Sequence, residues 1–385
     1  MKSINSILLI IPLLILGCGG RGGEQLSDDV ITVDVTKSYP QKKEIILQDF
    51  MDVEYIALET NKDFLNQGLV MDIGKKIILV RNRVYDGDIF IYDRSGKAIR
   101  KINRQGQGPE EYIRVYSIML DEDNGEMFVT GQNKVSVYDL YGKFKRSFQS
   151  REGGAYLYHF NYDKDNMICY DNHFNEEIAF KLIYKQDGSI TKEIKIPIKE
   201  KKSLSIASSN DPFDIVSPGG RDNYIIPYND NWIISEYSSD TIYTFLPDYN
   251  LRPFIARTPP IQSMNPEVFL ILRFLSDRYY FMETVRREYD FSRRTGFTKT
   301  FMMYDKQEKA FFGYNVYNGD YSTKKEISMN RLTFVNQMES YQILEAYQLV
   351  ESYKNGELKD GKLKEIASKL GEEDNPVIML IKHKK

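Results

Sequence analysis

One feature restricts the fold of this chain more than any other: a strand–turn–strand unit that returns every 46 residues. The stretches IFIYDRSGKAIRKI (89–102), VSVYDLYGKFKRSF (135–148) and KLIYKQDGSITKEI (181–194) align without gaps. Each places an apolar residue before a tyrosine (Ile91-Tyr92, Val137-Tyr138, Ile183-Tyr184) and a glycine in the turn (Gly96, Gly142, Gly188). Glycine is what a tight hairpin needs where φ must be positive. A further strand precedes each hairpin: Ile77–Val80, Met127–Thr130 and Met167–Tyr170. Another, such as Tyr116–Leu120, makes four per unit. A four-stranded antiparallel unit of this length is a propeller blade, because one unit cannot bury both of its faces and radial stacking does.

Later units depart from the period. Trp232–Ser235 with Thr241–Phe245 reads as a fourth blade, and Tyr279–Met282 with Phe301–Asp305 as a fifth. The sixth would join Leu332–Val335 to strands from the chain ends, Val53–Leu58 and Val377–Ile381, so that closing the ring removes exposed sheet edges. The expected fold class is therefore all-β, a six-bladed β-propeller with two C-terminal helices packed on it. Apolar residues at 338, 341, 344, 347 and 350 place the first helix at Gln337–Tyr353, and the second spans Leu363–Leu370, stopped by Gly371.

The N-terminus sets the compartment. Lys2 is followed by an apolar run, Ile7–Leu16, too short to span a bilayer, which needs about 20 residues, and suited to a secretory leader. Ile15-Leu16-Gly17-Cys18 then reads as a lipobox. The division is a signal peptide over 1–17, a lipid-anchored flexible tether over 18–29 and the propeller over 30–385, with Cys18 the lipidated residue. Removing Cys18 leaves Cys169 as the one other cysteine, so no disulfide forms within the processed chain. Cys169 lies in the strand Met167–Tyr170 and reads as a buried, inert thiol. The 52 basic and 55 acidic residues nearly balance and no basic block occurs, which removes nucleic acid as a partner.

The inventory for catalysis is thin. There are three histidines, His159, His173 and His383, and no HExxH, GxSxG or GxxxxGK[ST] motif. No metal and no cofactor is expected. Asp86-Gly87-Asp88 lacks calcium-loop spacing and reads as a turn. Arg286-Arg287 and Arg293-Arg294, which bracket Tyr289–Phe291, read as a solvated hairpin.

Gly106-Gln107-Gly108-Pro109-Glu110-Glu111-Tyr112, followed by Ile118–Asp121, Glu126–Val129 and Val137-Tyr138-Asp139-x-x-Gly142, resembles an NHL-type repeat. With its lipobox and the closing Asn375-Pro376-Val377 strand, the chain is similar to the six-bladed β-propeller lipoproteins of Bacteroidota. That resemblance implies the fold and a cell-envelope location at the outer membrane, on either face, and carries little chemistry. Within the loop, Gly108 and Tyr112 recur as Gly154 and Tyr158, which makes them structural. Arg104, Gln107 and Glu111 are the candidate ligand contacts. The expected function is a lipid-anchored binding or assembly platform for a glycan, peptide or envelope-protein partner. The competing reading is an envelope hydrolase or lyase working at the central channel.

Overall fold

The computed structural model describes residues 30–384 apart from 133, 150–157, 172–177, 221–222 and 337–338. The lipobox with Cys18, the tether, His173 and Gly154 lie outside the described residues. Six sheets form the ring. Blade 1 is Leu69–Ile73, Ile77–Arg81, Asp88–Asp93 and Ala98–Asn103; blade 2 is Ser117–Asp121, Glu126–Thr130, Lys134–Asp139 and Phe144–Gln149. Blade 3 runs from Tyr158–Asn161 to Ile190–Lys195, blade 4 from Ile225–Tyr228 to Leu251–Thr258, and blade 5 from Val268–Leu275 to Ala310–Tyr317. Blade 6 is Thr333–Asn336, Glu339–Leu344, Val377–His383 and Met51–Ala57.

First strands face the centre, where Leu69–Ile73 touches Ser117–Asp121, which in turn touches Tyr158–Asn161. Inner and middle strands such as Glu126–Thr130 and Val268–Leu275 are buried along their whole length. A blade is covered on both faces by its neighbours, so these strands are mostly apolar and show no alternation of buried and exposed residues. Outer strands differ: in Ala98–Asn103 only Ile102 is buried.

The 46-residue step is a contact rule. Gly96, Gly142 and Gly188 sit in equivalent turns with φ of 87°, 82° and 78°. A Cβ on Gly96 would lie 2.1 Å from the Ala57 carbonyl oxygen, on Gly142 2.9 Å from Ile102, and on Gly188 2.4 Å from Phe148. Each glycine thus lets its turn rest on the outer strand of the preceding blade. Tyr112, 1 % exposed, fills the joint between blades 1 and 2, and its hydroxyl donates to the Gly87 carbonyl at 2.7 Å.

The termini close the ring. Val377–His383 pairs with Met51–Ala57 in antiparallel register from Val377↔Ala57 to His383↔Met51. Asn375, fully buried, donates to the Glu59 and Phe64 carbonyls and accepts from the Asn66 N–H, fastening the segment that enters blade 1. Residues 31–35 read as a strand in the sequence, a candidate for the blade that closes the ring; Ile31–Asp34 is a strand but adds in parallel to the outer edge of blade 4 instead. Lys42–Ile46, which the sequence did not reveal, does the same on blade 5.

One helix boundary needs correction. The segment Glu339–Leu344, expected within the helix 337–353, is a strand paired with Val377–Lys382, and the helix spans only Ala346–Lys354. Ser340-Tyr341-Gln342-Ile343 alternates polar and apolar, a two-residue period that the three-residue spacing concealed. The second helix is Lys362–Ala367. Leu349, Leu363 and Ala367 bury both helices against blades 5 and 6.

Candidate functional site

The centre of the ring is unevenly filled. Phe274, at the end of the first strand of blade 5, stacks on Phe334 of blade 6 at 5.8 Å, and first strands of blades 4 and 6 touch. On the side of blades 1–3 a cavity of about 1080 Å³ remains. Met71, Ile73, Ile118, Leu120 and Val335 line its apolar part, and Phe160, Tyr162, Trp232 and Phe334 supply four rings. Trp232 holds this wall together, with Phe160 and Tyr162 each 5.8 Å away. The turns after the first strands of blades 1 and 2, with the end of Val377–His383, supply the polar rim.

Two carboxylates cross the joint between blades 1 and 2 in opposite directions. The register of blade 1 slips between Val70 and Asp72, a bulge that turns the Asp72 side chain toward blade 2. There Oδ2 accepts the Leu120 N–H at 2.7 Å, while Oδ1 accepts the Ile73 N–H at 2.8 Å. Glu122 of blade 2 reaches back and accepts from the N–H groups of Lys75, Lys76 and Ile77 at 2.8, 2.8 and 2.9 Å. Gly74 makes room for it, since a Cβ there would lie 2.7 Å from the Glu122 Oε1. Burial pushes the Asp72 carboxyl up to about 7; the Leu120 and Ile73 N–H groups pull it down, and Glu122 raises it further.

The joint between blades 6 and 1 is held differently. Arg94 makes a two-pronged pair with Glu339 (2.9 and 3.2 Å) and also donates to the Gly74 carbonyl at 3.0 Å. Lys382 pairs with Glu54 and lies 3.8 Å from Glu339. At the far edge His383 lies against Phe274 and Tyr228. Burial lowers its imidazole below the usual range, and Asp277 opposes this. His159 Nε2 is 3.4 Å from the Ser117 hydroxyl.

None of the loop residues read from the sequence lines this cavity. Arg104 donates to the Gly142 carbonyl at 2.9 Å, bracing blade 1 against the turn of blade 2. Glu111 folds over its own loop and accepts the Gly108 N–H at 2.8 Å. Gln107 is exposed. Asp86 accepts from the Arg83 and Asp88 N–H groups, as a turn does. Cys169 is free and buried, and burial raises its thiol far above the usual range. Among the described residues no group of three or more His, Cys, Asp or Glu is placed to hold a metal ion. Asp72 and Glu122 were missed. The signal available was an acid inside the apolar run Leu69-Val70-Met71-Asp72-Ile73.

Fold and site together define a six-bladed β-propeller with a lined cavity at one mouth of its central channel. The chain belongs to the family described as Domain of unknown function DUF4934, whose model matches residues 30–382. No curated protein matches it in sequence. A Bacteroides fragilis protein described as exported shares the fold at 15 % identity and a TM-score of 0.57, over 93 % of this chain and all of that one. BamB from Moraxella catarrhalis (10 % identity, 86 % of this chain and 99 % of that one, TM-score 0.40) is more remote. So is virginiamycin B lyase from Staphylococcus aureus (13 %, 86 % and 99 %, 0.34), and neither carries an argument about ligands. Among the described residues no helix is long and apolar enough to cross a membrane.

Proposed function

We propose that this protein is a binding platform of the cell envelope, built from NHL-like blades and held to the outer membrane by lipid on Cys18. The observation that carries the binding part is the cavity at the channel mouth, which joins an aromatic wall to a polar rim drawn from blades 1, 2 and 6. Large concave sites with a few convergent polar groups are where ligands bind. The ligand is a glycan or a peptide segment, and the rigid ring presents it to other envelope components. Arg104 and Glu111 brace the scaffold. The anchor rests on the Ile15–Cys18 motif and is tested by labelling with a fatty acid. Cys18→Ala should remove the label and release the protein from membranes, and unchanged labelling overturns the anchor. The binding reading is tested by pull-down from envelope fractions and by glycan arrays, with Tyr162→Ala as the site variant. Capture that is indifferent to this change places the partner elsewhere.

One observation favours the second reading, an envelope hydrolase or lyase. A carboxyl near 7 in a cavity that also holds His159 is the kind of group general acid–base chemistry uses. Turnover on a glycan or ester panel that disappears in Asp72→Asn would establish it.

A further inference from the structure

Pairing the charges of the cavity leaves an imbalance. Lys75 lies 3.6 Å from Asp123, and Arg94 and Lys382 face Glu339. Asp52, Asp72 and Glu122 then have no cationic side chain within ion-pair distance among the described residues, against Lys384 alone on the positive side. The N–H donors on Asp72 and Glu122 are neutral and leave both charges uncancelled. His383 offers no compensating charge at neutral pH. Its side chain is only 9 % exposed, and burial lowers its imidazole below the usual range, with Asp277, 3.7 Å from Nδ1, opposing this. The rings that line the same cavity are also vacant in this sense, since the protein's own cations sit over other rings, such as Phe312, Tyr141 and Tyr85.

Unpaired carboxylates next to open aromatic faces are complementary to one class of group. The ring quadrupole attracts a cation from above, and the acids complete its hydrogen bonds. We propose, on the reading that this cavity binds a ligand, that the ligand carries an ammonium or guanidinium group seated between Asp72 and the Phe160–Tyr162–Trp232 wall.

The seat is proton-linked. Asp72 holds its proton up to about 7 because it is buried and Glu122 of blade 2 adds negative charge. The other ionisable groups that share the cavity with it are Lys75 and Arg94 from its own blade, Asp123 after the first strand of blade 2, His159 of blade 3, and Asp52, Glu339, Lys382, His383 and Lys384 from blade 6 and its end. Lys75 with Asp123, and Arg94 and Lys382 with Glu339, largely satisfy one another. An arriving cation favours the ionised form, so binding expels the proton. Affinity is therefore nearly full at about pH 8 and falls as pH drops through 7, by about tenfold between pH 8 and pH 6 for one linked group.

The test is titration calorimetry of the full chain at pH 6, 7 and 8, in two buffers of different ionisation enthalpy. The probes are tri-lysine, tri-arginine and spermidine, with fully acetylated tri-lysine and maltotriose as uncharged controls. The charged probes are expected to bind at least ten times tighter than the controls, to release up to one proton at pH 6, and to weaken tenfold from pH 8 to pH 6. Preference for the peptides over spermidine, or the reverse, separates the two sources of the cation. Asp72→Asn should abolish the pH dependence. Because it also loses an acceptor for a backbone N–H, Asp52→Asn serves as a second variant that weakens binding and keeps the pH dependence. Equal binding of the controls, flat affinity from pH 6 to 8, or no binding of any charged probe overturns the proposal. The reading that this cavity is the binding site falls separately, if an envelope partner is captured as well by Tyr162→Ala as by the unaltered protein.

Discussion

The outer edges of blades 1 and 2 and those of blades 4 and 5 solve one problem in two ways. In blades 1 and 2 the last strand is left open to solvent and is basic: Ala98–Asn103 carries Arg100 and Lys101, and Phe144–Gln149 carries Lys145 and Arg146. Charged side chains on an edge discourage another strand from pairing there. In blades 4 and 5 the last strands, LRPFIART and AFFGYNVY, are longer, eight residues each, and strands from the N-terminus cover them. The cover is pinned by side chains as well as by the ladder. Tyr39 packs on Phe311, and Lys43 lies over Phe312 and reaches Asp305 at 3.0 Å. Burial works against ionising Asp305, but the Arg278 and Lys43 bonds outweigh it and hold the carboxyl at about 2. The uncovered edges are six residues long and charged; the edges of eight residues are covered by a strand.

This contrast can be broken by deletion. Removing 377–385 takes a strand from the middle of blade 6 and its ladder to Met51–Ala57, and is expected to abolish the cooperative transition in urea. Removing 30–46 should leave a transition but expose two long strand edges, giving aggregation by light scattering at concentrations where the full chain stays monodisperse. A monodisperse truncated protein would refute the role assigned to the N-terminal strands.

The turn glycines give the next largest effect. Gly96→Ala must fit a Cβ against the Ala57 carbonyl at positive φ, and should cost about 2–4 kcal/mol in urea unfolding. Gly125→Ala, at φ 62° with nothing within 4 Å, should cost about 1 kcal/mol. Equal costs would mean that the 46-residue glycine is a turn requirement only and not a blade contact. Glu122→Ala removes the acceptor of three N–H groups and should cost about 2–3 kcal/mol, against about 1 kcal/mol for Arg104→Ala. The Arg104 change should leave ligand capture untouched. The smallest effect is expected for Lys101→Thr combined with Lys145→Thr. Stability should move by less than about 0.5 kcal/mol, while self-association measured by sedimentation rises.

The same contrast explains what could be read from the sequence. Blades 1–3 repeat because each joint uses the same glycine-on-strand contact, and a contact rule repeated in space leaves a period in the chain. Blades 4–6 lose the period to insertions: a hairpin segment before Ile225, another between Arg286 and Lys299, and the helices between Leu344 and Val377. Residues 31–35 were legible as a strand but not the blade they join, and Lys42–Ile46 was not legible at all, because their partners are far along the chain and set their register. The site was hidden for a similar reason. Asp72 and Glu122 acquire their roles only when two blades meet, whereas Arg104 and Glu111 stand out beside glycines yet bond to the backbone around them.

The three N-terminal strands also impose an order on folding. Ile31 pairs with Ile255, Lys42 with Gly313 and Ala57 with Val377. On the envelope reading proposed above, the chain crosses a membrane N-terminus first and delivers its earliest strands long before their partners arrive. Contacts so distant in sequence form slowly, because the intervening loop must be closed before they reward it. Blades 1–3 can assemble from local hairpins as they emerge, but the ring stays open until the final strand is delivered. Such a chain remains threadable for the whole of its transit.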